Sequence, residues 1–268
     1  MKKILNIYKN IRWRNSSGPD RVLLNILKTL SNPQDKWILE NKGIHSGERC
    51  FLLGAGPSLT KVDLCRLKGE KVMALNGSVF LDEVDVDYFL TVSKFFYKGH
   101  VEKLQDIKCR RFLPMFLKDK LDSDAPTSWF NSLSTDDLKG VTKNIPWGFS
   151  HNPSNFLVLG GTGMFVCLQI LLYLGFEEVI LLGVDHDFGT AGVEAKKNKG
   201  WVTGEHSHSH FMPGYYRSNE PIHLDVDAIE YAFHLAKMEF IKNGKSILNA
   251  SPGSKLDVIP RVDFDTLF

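Results

Sequence analysis

The sequence predicts an α/β fold with a mainly parallel sheet flanked by helices. Short apolar runs of strand length recur along the chain, each closed by Gly, Pro, Asn or Ser. They are spaced as strands separated by short helices or loops, which is α/β periodicity. Two glycine-rich turns, GAGPS at Gly54–Ser58 and GGTG at Gly160–Gly163, each follow an apolar run and open a helix-like segment. With 268 residues, 43% hydrophobic and 24% charged, the chain can bury a full core.

Residues 1–46 read as an N-terminal helical, basic arm, and 47–268 as the α/β domain. In MKKILNIYKNIRWRN, Lys2, Lys3, Lys9, Arg12 and Arg14 alternate with Ile4, Ile7, Tyr8 and Ile11. That spacing puts basic and apolar residues on separate faces of a helix, which suits an anionic membrane surface or packing on the domain. VLLNILKTL (22–30) predicts a further helix, ended by SNPQDK. The first strong strand is Phe51–Leu53, led in by Arg49 and Cys50. Strand-like runs follow in KVMALNG (71–77), DYFLTVS (87–93) and RRFLPMF (110–116). From Lys118 to Asn155 the chain turns polar, and an irregular flap is expected there. FLVLGGTGMFVCLQILLYLGFEEVILLGVDHDF then reads as one central βαβ unit, with a helix over 162–174 and a strand over 179–183. Gly189–Pro221 reads as a long loop. A helix over 224–242, a strand in SILNAS and a polar tail close the chain.

Composition narrows the function. A net charge of +2 is too mild to suggest nucleic acid as the main partner, because non-specific phosphate binding needs a concentrated basic face. Cys50, Cys65, Cys109 and Cys167 show no CxxC pairing, as in a reducing, cytoplasmic protein. No apolar run reaches the roughly 18 to 20 residues of a membrane span, and no signal peptide is evident.

The residues suited to chemistry gather at strand ends. Gly54-Ala55-Gly56-Pro57-Ser58 offers backbone N–H groups, a helix start and a hydroxyl to a phosphate, but lacks the third glycine of a dinucleotide fingerprint. Carboxyl ends of neighbouring strands share one rim in such sheets, so Asn76, Thr91 and Ser93 are expected beside Gly54. Gly161-Thr162-Gly163 forms a second turn, with Thr162 a natural N-cap. Asp185-His186-Asp187 closes the most hydrophobic strand, where a carboxylate can hold a divalent ion or orient a sugar. EHSHSH (205–210) lacks the spacing of a helical zinc pair, and a lone histidine from it, or His223, suits a general base better. Tyr215, Tyr216 and Arg217 suit an anionic sugar or phosphate.

GAGPSL, the strand ending in Asn76, GGTGMFVCLQILLYLGFEEVILLGVD, the His-bearing loop and ILNASPGSKLDVIP together resemble the bacterial DUF115 (MptE-like) family of polysaccharide- and flagellin-glycosylation proteins. That family is similar to the Campylobacter-type α-2,3-sialyltransferases. The resemblance runs discontinuously over about Gly47 to Pro260, and the order of the motifs carries it more than any one of them. It implies a Rossmann-like, GT-A-type variant with a flexible lid loop. The implied activity is that of an inverting glycosyltransferase of surface glycan assembly, using a CMP-nonulosonic acid donor, a histidine base and no required metal. Carried onto this chain, Gly54–Ser58 and Asn76 would meet the CMP, and Thr91 and Ser93 the ribose or sugar. Gly161–Gly163 would meet the cytidine or donor carboxylate, and Ser251–Ser254 the base, with Asp185 closing the strand that leads to the site. On this resemblance the catalytic histidine would be His223, by its short gap to the last long helix, or His210, by the His-aromatic pair it makes with Phe211. Ala55 stands where the sialyltransferases have Asn, and Asp187 where they have Tyr. A pterin pyrophosphokinase of the same superfamily is the alternative, with Asp185 and Asp187 on magnesium and ATP in the glycine turns. A membrane-associated scaffold is the non-enzymatic reading. The implied partners are a nucleotide-sugar donor and a glycan acceptor, with no nucleic acid, peripheral contact with the inner membrane through the arm, and room for a homo-oligomer.

Overall fold

A computed structural model describes residues 34–121, 124–133, 148–188, 201–202, 210–211 and 222–268. Residues 1–33 of the arm, with the helix expected at 22–30, and residues 205–209 and the Tyr215–Arg217 triplet of the long loop lie outside the described residues. Eleven strands are described: β1 Arg49–Leu53, β2 Lys71–Leu75, β3 Tyr88–Leu90, β4 Arg110–Pro114, β5 Thr127–Phe130, β6 Ser132–Leu133, β7 Leu157–Val158, β8 Glu178–Leu182, β9 Trp201–Val202, β10 Ile222–His223 and β11 Ser246–Asn249. Four α-helices accompany them: α1 Lys36–Glu40, α2 Lys94–Gln105, α3 Gly163–Leu174 and α4 Val226–Lys242.

Seven strands form one sheet in the order β11-β8-β1-β2-β3-β4-β5, and every neighbouring pair is parallel. The expected mainly parallel α/β fold is therefore present. Alternating residues of each strand enter opposite cores, which is why the strands read as unbroken apolar runs. Leu52, Met73 and Leu181 pack with Ile38, α3 and α4 on one face, while Phe51, Leu53, Val72 and Ile180 pack with Leu59, Leu64, Leu67 and Phe264 on the other. Ten of the twelve residues of α3 are buried, and Gly175, at φ 102°, ends the helix as its C-cap.

Three expectations need correction. The polar stretch after Lys118 contains β5, an edge strand of the main sheet, with Ser128 and Phe130 fully buried. Its polarity is used internally. Arg111, 1% exposed, donates to Thr127 Oγ1 and to the Leu104 carbonyl, and Arg110 donates to the Ser128 hydroxyl. The apolar run before α3 is a strand, β7, but it pairs with β6 in a separate small sheet, so the expected βαβ unit does not lie within one sheet. The C-terminal tail is not merely polar. Leu256 and Ile259 join the main core, Phe264 the second, and 260–262 hydrogen-bonds along the open edge of β11.

Candidate functional site

From β1 the main sheet proceeds one way to β5, and from β8 the other way to β11, so the strand order reverses between β1 and β8. Ligand crevices of open α/β sheets form outside the carboxyl ends of strands at such a point.

The first glycine turn lies there, but it is sealed against the end of β8. Gly54 N–H donates to the Leu182 carbonyl at 2.7 Å and Gly56 N–H to the Gly183 carbonyl at 2.8 Å. A Cβ on Gly54 would overlap the Gly183 carbonyl oxygen, and one on Gly56 would sit 2.7 Å from the Asp185 carboxyl carbon. Both glycines are thus required by backbone approach alone. Pro57 takes the first helical position as expected, but the helix is a five-residue 3₁₀ turn, Pro57–Lys61. The Asp185 carboxylate accepts the Ser58 amide at 2.9 Å and the Ser58 hydroxyl. The anion held by this turn is the chain's own carboxylate. Ala55 and Pro57, both half-buried, are what the turn presents outward.

The other turns are placed around it. Asn76, at φ 54°, ends β2 in the left-handed region and opens a 3₁₀ turn. GGTG is wedged between the end of β2 and the first turn of α4. A Cβ on Gly163 would lie 2.7 Å from Leu75 Cδ1, and one on Gly161 3.5 Å from Ile229 Cγ1. Gly161 is exposed, and Thr162 Oγ1 caps α3 by accepting the Met164 amide at 3.3 Å. Thr91 is fully buried at the end of β3, and Ser93 caps α2 by accepting the Phe96 amide at 3.1 Å. These two stand two strands along from β1 on the same rim.

Asp185, His186 and Asp187 diverge. Asp185 faces Ser58, Asp187 pairs with Lys255 at 2.9 Å, and His186 Nε2 meets Glu230 Oε1 of α4 at 3.1 Å. No group of three or more His, Cys, Asp or Glu side chains suited to a metal ion occurs among the described residues. Ser251 and Ser254, both buried, clamp this loop: Ser251 Oγ accepts the Val184 amide at 2.9 Å, and Ser254 Oγ donates to the Val184 carbonyl at 2.6 Å. Asn249 Nδ2 and the Leu256 amide complete the Ser254 bonding at 2.9 and 3.2 Å. An open cleft of about 670 Å³ lies on the tail side of this clamp, bordered by Lys61, Asp63, Ser251, Gly253 and Arg261.

His210 reaches the first turn through its neighbour, because Phe211 N–H donates to the Ala55 carbonyl at 2.8 Å. Burial lowers the His210 imidazole to about 4, so the ring is neutral at physiological pH. His223 lies in β10, paired with Trp201 of β9, just before the Asp225 cap of α4. The rim therefore gathers Gly54–Ser58, Asn76, Gly161–Gly163, Asp185, Asp187 and His210, with Ser251 and Ser254 behind it. The residues that sequence reasoning missed are His186 as a side chain with a partner, and Glu230. The one signal was the histidine within DHD, since its partner lies 44 positions away.

No protein-family model matches the chain, and neither does any curated protein sequence.

Proposed function

We propose that the protein is an inverting glycosyltransferase of surface glycan assembly that draws a nonulosonic acid from its CMP ester. The observation that carries this reading is the convergence of two glycine turns, a left-handed Asn76 and a histidine-bearing loop end on one sheet rim at the strand-order reversal. Such a rim suits a nucleotide-linked donor. The exposed Gly161 backbone would lie along the donor, and Asn76 would supply donor and acceptor groups to it. Transfer with inversion needs the acceptor hydroxyl aligned opposite the leaving phosphate, a base for its proton, and stabilisation of the departing CMP. The separate engagements of Asp185 and Asp187 give less support to a magnesium-dependent pyrophosphokinase. The basic amphipathic pattern of the arm supports peripheral contact with an anionic membrane, and among the described residues no helix is long and apolar enough to cross one.

The test is thermal stabilisation by CMP, UDP, GDP and ATP, each with and without magnesium. Stabilisation by CMP that does not need magnesium is expected. Stabilisation by ATP alone, dependent on magnesium, would replace this reading with the kinase.

A further inference from the structure

We infer that His186, oriented by Glu230, is the group that takes the acceptor proton in this transfer, an assignment that rests on the glycosyltransferase reading. Four observations lead to it, and the first is conformational. His186 has φ 52°, and the only other non-glycine residue with positive φ among the described residues is Asn76. Both stand at the carboxyl ends of strands on the candidate rim. A non-glycine residue held in this region is uncommon and persists where its surroundings impose it, and such residues cluster at functional sites.

The second is the pairing of the ring. Nε2 lies 3.1 Å from the Glu230 carboxylate, which can only accept, so the proton of the neutral ring sits on Nε2. Nδ1 then carries the lone pair, and it makes no hydrogen bond among the described residues. A carboxylate that fixes the tautomer and stabilises the imidazolium formed on proton uptake is the arrangement by which histidine bases are oriented.

Desolvation is the third. The His186 side chain is 5% exposed, with the Phe188 ring edge-on at a centroid distance of 4.9 Å, while Glu230 stays 47% exposed. The fourth is position. His186 directly follows Asp185, whose carboxylate is tied to Ser58, and Glu230 directly follows Ile229, which faces Gly161. The dyad therefore joins the loop that closes the first glycine turn to the helix that packs on the second. His210, also at the rim, is neutral but a weak proton acceptor, because burial holds it near 4.

In the step, the acceptor O–H proton passes to His186 Nδ1. The acceptor oxygen bonds to the anomeric carbon of the donor, and the bond from that carbon to the CMP phosphate oxygen breaks, its electron pair leaving with CMP.

The test uses the full chain with CMP-N-acetylneuraminate and CMP-3-deoxy-manno-octulosonate, water serving as acceptor and CMP release as readout, with CMP affinity measured separately. His186→Asn is the chosen variant because Asn tolerates the left-handed backbone. It is expected to keep CMP affinity and KM within about threefold while kcat falls about 10²- to 10⁴-fold. Glu230→Gln, which keeps shape and removes charge, is expected to lower kcat about 10- to 100-fold at unchanged KM. A His186→Asn enzyme with near wild-type kcat would overturn the assignment, as would loss of CMP affinity in step with kcat, the mark of a structural role. Loss of turnover in His210→Asn but not in His186→Asn would move the role to His210. A wild-type protein that releases CMP from neither donor overturns the transferase reading, and the base assignment with it.

Discussion

The Asp185 carboxylate receives both the amide and the hydroxyl of Ser58, joining the loop after β8 to the turn after β1 across 127 positions of sequence. Ser58 is 1% exposed, so neither donor has water as a substitute. Asp185→Ala is expected to lower unfolding free energy by about 2 to 5 kcal/mol, from two buried donors left unpaired. Asp185→Asn, which keeps one acceptor oxygen, should cost less. Urea denaturation of the three proteins measures the order, and equal stability of Asp185→Ala and wild type would remove the clamp from the account.

His210 gives the fold an acid-side dependence. Its folded-state value is depressed from 6.5 to about 4, so the unfolded chain binds the proton first. Stability is expected to fall as pH drops from 6.5 to 4 and to change no further below that on this residue's account. The loss is at most about 3 kcal/mol, and smaller to the extent that the partly exposed ring keeps water. Urea midpoints at pH 4.5 and 7.5 should differ less in His210→Gln than in wild type.

Tyr88 acts at the opposite end of the pH scale. Its hydroxyl lies 2.6 Å from His45 Nε2, whose other nitrogen is 2.9 Å from Glu48, so the tyrosine donates. Burial, reinforced by the nearby Asp87 charge, raises Tyr88 from 10 to about 12. Because the unfolded chain loses this proton first, stability is present below pH 10 and is lost as pH rises from 10 to 12, by at most about 3 kcal/mol. Tyr88→Phe should abolish that alkaline loss while costing about 1 to 3 kcal/mol at neutral pH, through the unpaired His45 nitrogen. Denaturation at pH 8 and 11 checks both.

The first glycine turn can be tested by size alone. Gly54→Ala places a methyl group in the Gly183 carbonyl and is expected to cost 3 kcal/mol or more, at roughly the upper end of overpacking penalties. Gly148→Ala, where no atom of the described residues lies within 4 Å of the new carbon, should be near neutral. Melting temperatures decide between this packing role and a turn shaped only to admit a ligand, for which both substitutions would fold normally.

On the transferase reading, metal removal is without effect. Asp185 and Asp187 are committed to Ser58 and Lys255, so EDTA should leave CMP stabilisation unchanged. A thermal shift that disappears on chelation would restore the divalent-ion role of the DHD carboxylates.

The strands and α3 were legible because burial on both faces turns a parallel strand into an unbroken apolar run, as in Phe51–Leu53 and Val179–Leu182. The cap Thr162 was legible because capping is local. β5 was not, because Ser128 and Thr127 read as surface until Arg110 and Arg111 are seen buried against them. Ser58, Ser251 and Ser254 read as ligand contacts, yet their hydroxyls meet carboxylate and backbone groups of the β8 loop.

The sequence by itself determined the α/β class, the strand ends at which the candidate residues gather, and the places where glycine is needed, all properties of short windows governed by hydrophobic periodicity and backbone sterics. Only the tertiary structure decided what those residues face. That Asp185 fills the turn expected to hold a phosphate, and that His186 meets Glu230, follow from strand order and helix placement, which bring together groups whose separation in sequence leaves no local trace.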